Sequence, residues 1–341
     1  MSPLRSGQPR WQRHALVMLG GCLLLAAMMA LSIGIGARSI APGVALDAIV
    51  SFDPSINQHL LVRHLRIPRT LIAVLVGVSL GGAGVVMQAL TRNPLADPGL
   101  LGVNAGAGLA IVTAIALWQV QSIGGQMASG LVGAGLAGAA VYLLGGVRQI
   151  ANPVRLVLAG AALTFVLMAL TQLIIINSDA LVFDRFRHWA VGSLQGRGPE
   201  LVVPFLVLAV LGLGMIVYLT RALDVLVLGR DLGRVLGVSS GTVWGLACVS
   251  VVLLSGAATA VAGPVSFVGL AAPHLARFVV GSGHRLLVPY TLLISALLVL
   301  AADMAGRLVI HPEEVAVGIM VALLGGPVFV ALARRRRLVQ L

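Results

Sequence analysis

Ten apolar runs divide this chain, and only short polar stretches separate them. They read approximately 14–36, 70–91, 100–118, 126–147, 154–177, 201–220, 242–261, 263–280, 286–306 and 314–333. About twenty apolar residues coiled as an α-helix cross the hydrocarbon core of a bilayer. In lipid only a helix or a closed barrel satisfies its own backbone. A barrel needs segments of alternating hydropathy, and the sequence has none. A mean hydropathy of +1.03 with 10% charged residues fits no soluble domain of 341 residues. The expected fold is all-α, a polytopic transmembrane bundle of about ten helices. It is organised as one membrane domain over residues 1–341, and the third and eighth spans are short or interrupted.

Charge orients the bundle. An even number of spans puts both termini on one side. That side holds Arg5, Arg10, Arg13, Arg92, Arg148, Arg155, Arg221, Arg230, Arg234, Arg277, Arg285 and the run Arg334 to Arg337, against Asp97, Asp224 and Asp231. The other side has as many acids as arginines. Basic loops stay cytoplasmic, so both termini are expected inside a bacterial cytoplasmic membrane. The net charge of +12 then reflects topology, with no need of a nucleic acid. Every one of the 23 basic residues is arginine. Without lysine there is no phosphate-binding G-x-x-x-x-G-K-[ST] loop, so any ATP driving this chain is hydrolysed by another. Cys22 and Cys248 lie within apolar runs and read neither as a disulfide nor as a metal pair. The Leu19–Cys22 stretch resembles a lipoprotein processing site, but the apolar run continues through Ile35 and reads better as a first span.

Between two spans lies a polar island, Arg221 to Gly241. Leu232, Val235 and Leu236 fall at helical spacing, Arg230, Asp231 and Arg234 point elsewhere, and Gly229 and Gly237 bracket the segment. It reads either as a solvated loop or as a helical knob for a soluble partner to grip. On the opposite side a loop over about 37–69 ends in three arginines, Arg63, Arg66 and Arg69, with His64 among them. Arginines there run against the charge rule. Lipid phosphates or carboxylates of an outer partner would explain them. The stretch Phe183–Leu194 reads as a surface helix with Phe186 and Trp189 at the interface. Gly77/Gly81, Gly102/Gly106 and Gly241/Gly245 suggest close helix packing. The inner loop Thr91–Gly99 is a stiff turn, and Pro264 and Pro273 free backbone groups within the membrane.

Sites for chemistry are missing from the pattern. There is no HExxH, GxSxG or clustered Cys/His motif. His274 and His284 flank an inner turn, and His311, Glu313 and Glu314 an outer one; all read as solvated loops. Polar side chains inside spans are few: Gln88, Thr164, Gln172, Ser255 and Thr259. A gradient-driven carrier keeps acids or histidines near the midplane. Only Asp303 with Arg307, near an outer end, comes close. That leaves a secondary carrier as one alternative and a non-transporting scaffold or enzyme as another.

Several stretches together resemble the permease subunits of bacterial ABC importers for iron–siderophore complexes, haem and vitamin B12. They are Arg66–Thr70 (RIPRT), Gly84–Leu90, Asn93–Val103 (NPLADPGLLGV), the Leu226–Gly237 island, Gly263–Leu270 (GPVSFVGL), Pro273–Arg277 and Gly325–Phe329. They occur in the family's order along nearly the whole chain. The Thr91–Ala107 wording is most similar to the ferric enterobactin permeases. The resemblance implies a permease that is not itself an enzyme and binds no cofactor or metal. ATP and magnesium belong to a partner ATPase dimer. The other partners are a second permease subunit, identical or paralogous, a periplasmic or lipid-anchored substrate-binding protein, and a ferric siderophore of catecholate type as cargo; haem or vitamin B12 is the alternative. By resemblance Leu226, Leu228, Gly229, Arg230, Asp231, Arg234, Leu236 and Gly237, within the coupling segment 221–241, contact the ATPase. Arg66, Arg69 and Arg307 match arginines that dock the binding protein, and Asn93 and Leu95 match a cytoplasmic gate. Where the family's second gate loop carries small hydroxyl residues, this chain has Asn152-Pro153-Val154.

Overall fold

The computed structural model describes residues 10–36, 40–145, 153–228, 240–310 and 313–334, and no strand occurs among them. The helices are α1 (Arg10–Gly34), α2 (Pro42–Val50), α3 (Asn57–Leu61), α4 (Ile67–Thr91), α5 (Val103–Trp118), α6 (Ile123–Leu144), α7 (Pro153–Ile176), α8 (Ala180–Ala190), α9 (Val202–Leu228), α10 (Ser240–Ala262), α11 (Val268–Val280), α12 (His284–Val309) and α13 (Val317–Arg334). Each of the ten expected runs holds a helix. Seven helical stretches are long and apolar enough to cross a membrane, and α5, α11 and the apolar part of α13 are shorter.

Helices α4 and α10 are central. In their most apolar windows 78% and 72% of residues are buried, against 6% in α1 and 11% in α7. The outer helices turn Leu19, Leu23, Leu158 and Phe165 outward, as lipid-facing surfaces do. Close approach replaces hydrophobic gain as the packing force in lipid, and small residues permit it along α4. A Cβ added at Gly77 would stand 2.6 Å from the Ser295 carbonyl oxygen of α12, and one at Gly84 would overlap the backbone of Gly269 in α11. Gly77 and Gly81 therefore share a packing face, as their spacing predicts. Gly102 departs from that expectation. It is left-handed at φ 70° and ends a 3₁₀ turn, Pro98–Leu101, while Gly106 backs onto Gly133 of α6. Gly241 has open space around it.

The loop between α10 and α11 solves the backbone problem posed by its prolines. Gly263 turns the chain at φ 76°, where a Cβ would overlap the Trp189 carbonyl. Pro273 then sits inside α11, where it has no N–H to offer the carbonyl four residues earlier, that of Gly269. Gln88 of α4 supplies the missing donor: its Nε2 lies 3.3 Å from the Gly269 oxygen and 3.5 Å from that of Leu270. Its Oε1 accepts from Arg277 Nη1 at 2.6 Å, which fixes the amide orientation. Gln88 and Arg277 are both buried.

A Gln88→Leu substitution removes both bonds and leaves a buried carbonyl and a buried guanidinium without this partner. The expected loss is about 3–5 kcal/mol, measured as a fall in the unfolding midpoint in detergent. Gln88→Glu keeps an acceptor for Arg277 and should lose less.

Candidate functional site

The long outer loop expected through residue 69 is helical from Asn57. Helix α3 runs through a single π turn, Val62–Arg66, directly into α4. Pro68 directly follows the π turn, at the start of α4, and does not interrupt the run. Helical winding brings Arg66 and Arg69, three residues apart, to neighbouring positions. Across from them the same winding of α12 aligns Asp303 with Arg307.

These four side chains converge. Arg69 donates from Nε and Nη2 to Asp303 Oδ1 at 3.0 and 2.8 Å, and from Nη1 to Glu314 Oε2 at 2.5 Å. Arg307 Nη2 pairs with the other Asp303 oxygen, so one carboxylate bridges two guanidiniums. Arg307 Nη1 also donates to the carbonyls of Ser32 (2.9 Å) and Ile35 (3.1 Å), and Arg66 Nη1 to those of Ile33 (2.7 Å) and Gly34 (2.8 Å). A helix leaves its last four carbonyls unpaired, with a partial negative charge. Two arginines thus cap the C-terminal end of α1. Arg66, Arg307 and Asp303 are 8%, 3% and 1% exposed. The three arginines expected to face a docking partner are together at one end, as their pattern implies, but their charges are engaged within the chain. Glu314 belongs to this network and not to a solvated loop.

Sequence reasoning missed Arg197. It lies in the turn that carries Gly196, left-handed at φ 71°, and it is buried. Burial pushes its guanidinium down to about 10. Its Nε has no hydrogen-bond partner among the described residues. Arg197, Arg66, Arg69, Arg307 and Glu314 line one cavity of about 470 Å³. The only signal in the sequence was an arginine between two glycines.

Helix α8 is amphipathic, but Phe186 and Trp189 face inward while Phe183 is exposed. Trp189 is 4% exposed, and with Phe186 it packs on Gly108 of α5. The missing side chain at Gly108 makes the room, so these rings are protein contacts and not interfacial anchors.

The far end of the bundle holds the expected gate residues. Arg92 ends α4 in the left-handed region at φ 49°, and Asn93 Oδ1 accepts from the Leu95 N–H at 2.9 Å, closing a tight turn. Asp97 caps the following 3₁₀ turn through the Gly99 N–H at 2.8 Å. Desolvation raises its carboxyl above the ordinary value, and that bond offsets part of the rise. His274 and His284 are buried, not solvated. The His284 N–H and ring Nδ1 both donate to Asp224 Oδ1, at 2.9 and 2.6 Å, joining the start of α12 to the last turns of α9. Leu226 and Leu228 continue α9 beyond Asp224. Gly229, Arg230, Asp231, Arg234, Leu236 and Gly237 lie outside the described residues, as does Asn152.

The FecCD transport family profile matches residues 23–335. The chain belongs to the FecCD transport family. Relatives in two organisms support the assignment. The ferric enterobactin transport system permease protein FepD of Escherichia coli is 42% identical over 95% of this chain and 96% of its own length. The iron(3+)-hydroxamate import system permease protein FhuB of Bacillus subtilis is 36% identical over 94% and 84%. The Fe(3+)-citrate import system permease protein YfmD, also of Bacillus subtilis, is 35% identical over 91% of each. A solved metal-chelate type ABC transporter in an inward-facing conformation superposes with a TM-score of 0.82 at 29% identity, covering 94% of this chain and 99% of that one. The fold is thus shared with that transporter over 94% of this chain.

The buried network and an exposed ion pair should respond differently to mutation. Asp303→Asn leaves Arg69 and Arg307 short of a charge partner in an apolar setting, at an expected cost of about 3–5 kcal/mol. Asp184→Ala breaks only the exposed 3.2 Å pair with Arg187, worth about 0–1 kcal/mol. Thermal unfolding of the two variants in the same detergent tests this; equal shifts would contradict the network's structural role.

Proposed function

We propose that this chain is the membrane permease of an ATP-driven importer that passes a ferric siderophore across the bacterial cytoplasmic membrane. The observation that carries the reading is the FecCD match over residues 23–335, together with relatives whose names specify iron–chelate permeases. In this reading the chain performs no chemistry on its cargo. An ATPase dimer binds ATP and magnesium, grips the segment from Leu226 to Gly237 and drives rigid-body rocking of the helices. The end carrying Arg66, Arg69 and Arg307 faces a substrate-binding protein outside, and Asn93 and Leu95 gate the cytoplasmic exit. A second permease subunit completes the path.

A gradient-driven carrier is a poorer reading on structural grounds. Such a carrier needs an intramembrane acid that can gain and lose a proton. Asp303 instead has both carboxylate oxygens committed to Arg69 and Arg307, a structural role within the bundle. Within the siderophore class this reading puts a catecholate chelate first in an uptake panel, supported by the Thr91–Ala107 wording and by a relative named for ferric enterobactin. The relatives named for hydroxamate and citrate place those next. Haem and vitamin B12 complete the panel.

In proteoliposomes holding the full transporter, uptake of the correct chelate should persist when the proton gradient is collapsed and stop when ATP is withheld. The reverse result would establish a carrier. Arg230→Ala combined with Arg234→Ala should lower uptake on the order of tenfold or more. Unchanged uptake at equal expression would remove those residues from the coupling role.

A further inference from the structure

The cavity at the arginine-rich end is lined by more guanidiniums than carboxylates among the described residues. Four arginines surround it: Arg66, Arg69, Arg197 and Arg307. Two carboxylates answer them. Glu314 is committed to Arg69, and Asp303, behind the wall, is shared by Arg69 and Arg307. Arg197 has neither an ion pair nor a hydrogen bond among the described residues, although it is 8% exposed. A buried guanidinium without a partner is costly, and the open volume beside it is where a partner would stand.

We infer that this cavity is a binding site for a small polycarboxylate, with Arg197 as its principal anchor. Its volume of about 470 Å³ lies within the range of roughly 300–1,000 Å³ usual for small-ligand sites. Guanidinium forks match carboxylates in two-point geometry. The remaining wall includes Leu61, Leu65 and Leu194, suited to a carbon skeleton. The recessed position of Arg197 favours a ligand that enters the cavity over a flat protein surface laid across it. A free polycarboxylate and the carboxylate arms of an iron chelate share this chemistry, and they are separated by experiment. The inference concerns binding to the permease itself and does not depend on the proposed import function.

The test is calorimetric titration of the purified transporter with citrate and, separately, with ferric citrate. Saturable binding is expected, weaker at about 0.5 M than at about 0.05 M salt because screening weakens charge pairing. Arg197→Gln should weaken it at least tenfold, Arg197→Lys should retain more of it, and Arg285→Gln, an exposed site at the far end, should leave it unchanged. Binding of the ferric complex alone would identify cargo, and equal binding of both would identify a free anion site; either supports the cavity. Folding is not the obstacle, because Arg197→Gln removes an unpaired buried charge and its unfolding midpoint should hold or rise. Absence of saturable binding to the intact transporter, or equal affinity in Arg197→Gln, would overturn the inference. ATP-driven uptake that fails while citrate binding persists would count against the import reading alone.

Discussion

Asp303 is a carboxylate in an apolar bundle, and the arrangement of one whole end follows from supplying it with partners. A lone buried charge costs several kcal/mol even after relaxation. Arg69 of α4 and Arg307 of α12 answer it from two helices, and Arg69 extends the chain of pairs to Glu314. Arg307 then has donors left over, and these meet the bare carbonyls that end α1, alongside Arg66. One ion cluster therefore fixes the relative positions of α1, α4 and α12. Its worth lies less in net stability than in geometry, because oppositely charged partners cannot slide past each other without exposing an unpaired charge. The same logic makes Arg197, which has no such partner, the conspicuous residue of that end.

Backbone satisfaction plays the equivalent part deeper in the bundle. Pro273 breaks the hydrogen-bond ladder of α11, and Gln88 of α4 repairs it from outside while holding Arg277. Helix α12 is tied at both of its ends, by Asp224–His284 at its start and by Asp303 and Arg307 near its finish. Its 26 residues span about 39 Å at the usual helical rise. Asp224 lies in the last turns of α9. Its bond to the buried His284 ties the end of α9 to the start of α12, and α12 runs as one helix from there to the arginine cluster. Small interfaces of this kind switch between discrete arrangements because packed cores do not deform continuously.

The bundle's character was legible because it rests on quantities that a sequence states directly. Run length sets whether a helix can cross lipid, and hydropathy sets whether it will. The family resemblance suggested partners and roles, and wording such as NPLADPGLLGV marks a loop that must turn in one particular way. The spacing of Gly77 and Gly81 announced a packing face, and the spacing of Asp303 and Arg307 announced a pair. Residues whose meaning depends on what lies across an interface were opaque. Arg66 and Arg69 read as a basic loop because the π turn that carries the helix through them depends on packing. Phe186 and Trp189 read as membrane anchors because nothing nearby in sequence reveals the space above Gly108.

The sequence by itself determined that this chain crosses a membrane repeatedly, that it holds no lysine-bearing phosphate loop, and where its polar segments lie. Those conclusions need only composition, periodicity and order along the chain. The tertiary structure alone decided which polar groups answer one another. Gln88 meets the carbonyl freed by Pro273 from 181 residues away, and Arg69 meets Asp303 from 234. Lipid offers no water to satisfy a group left over, so each buried donor must find its partner in space, and distance along the chain carries no trace of that choice.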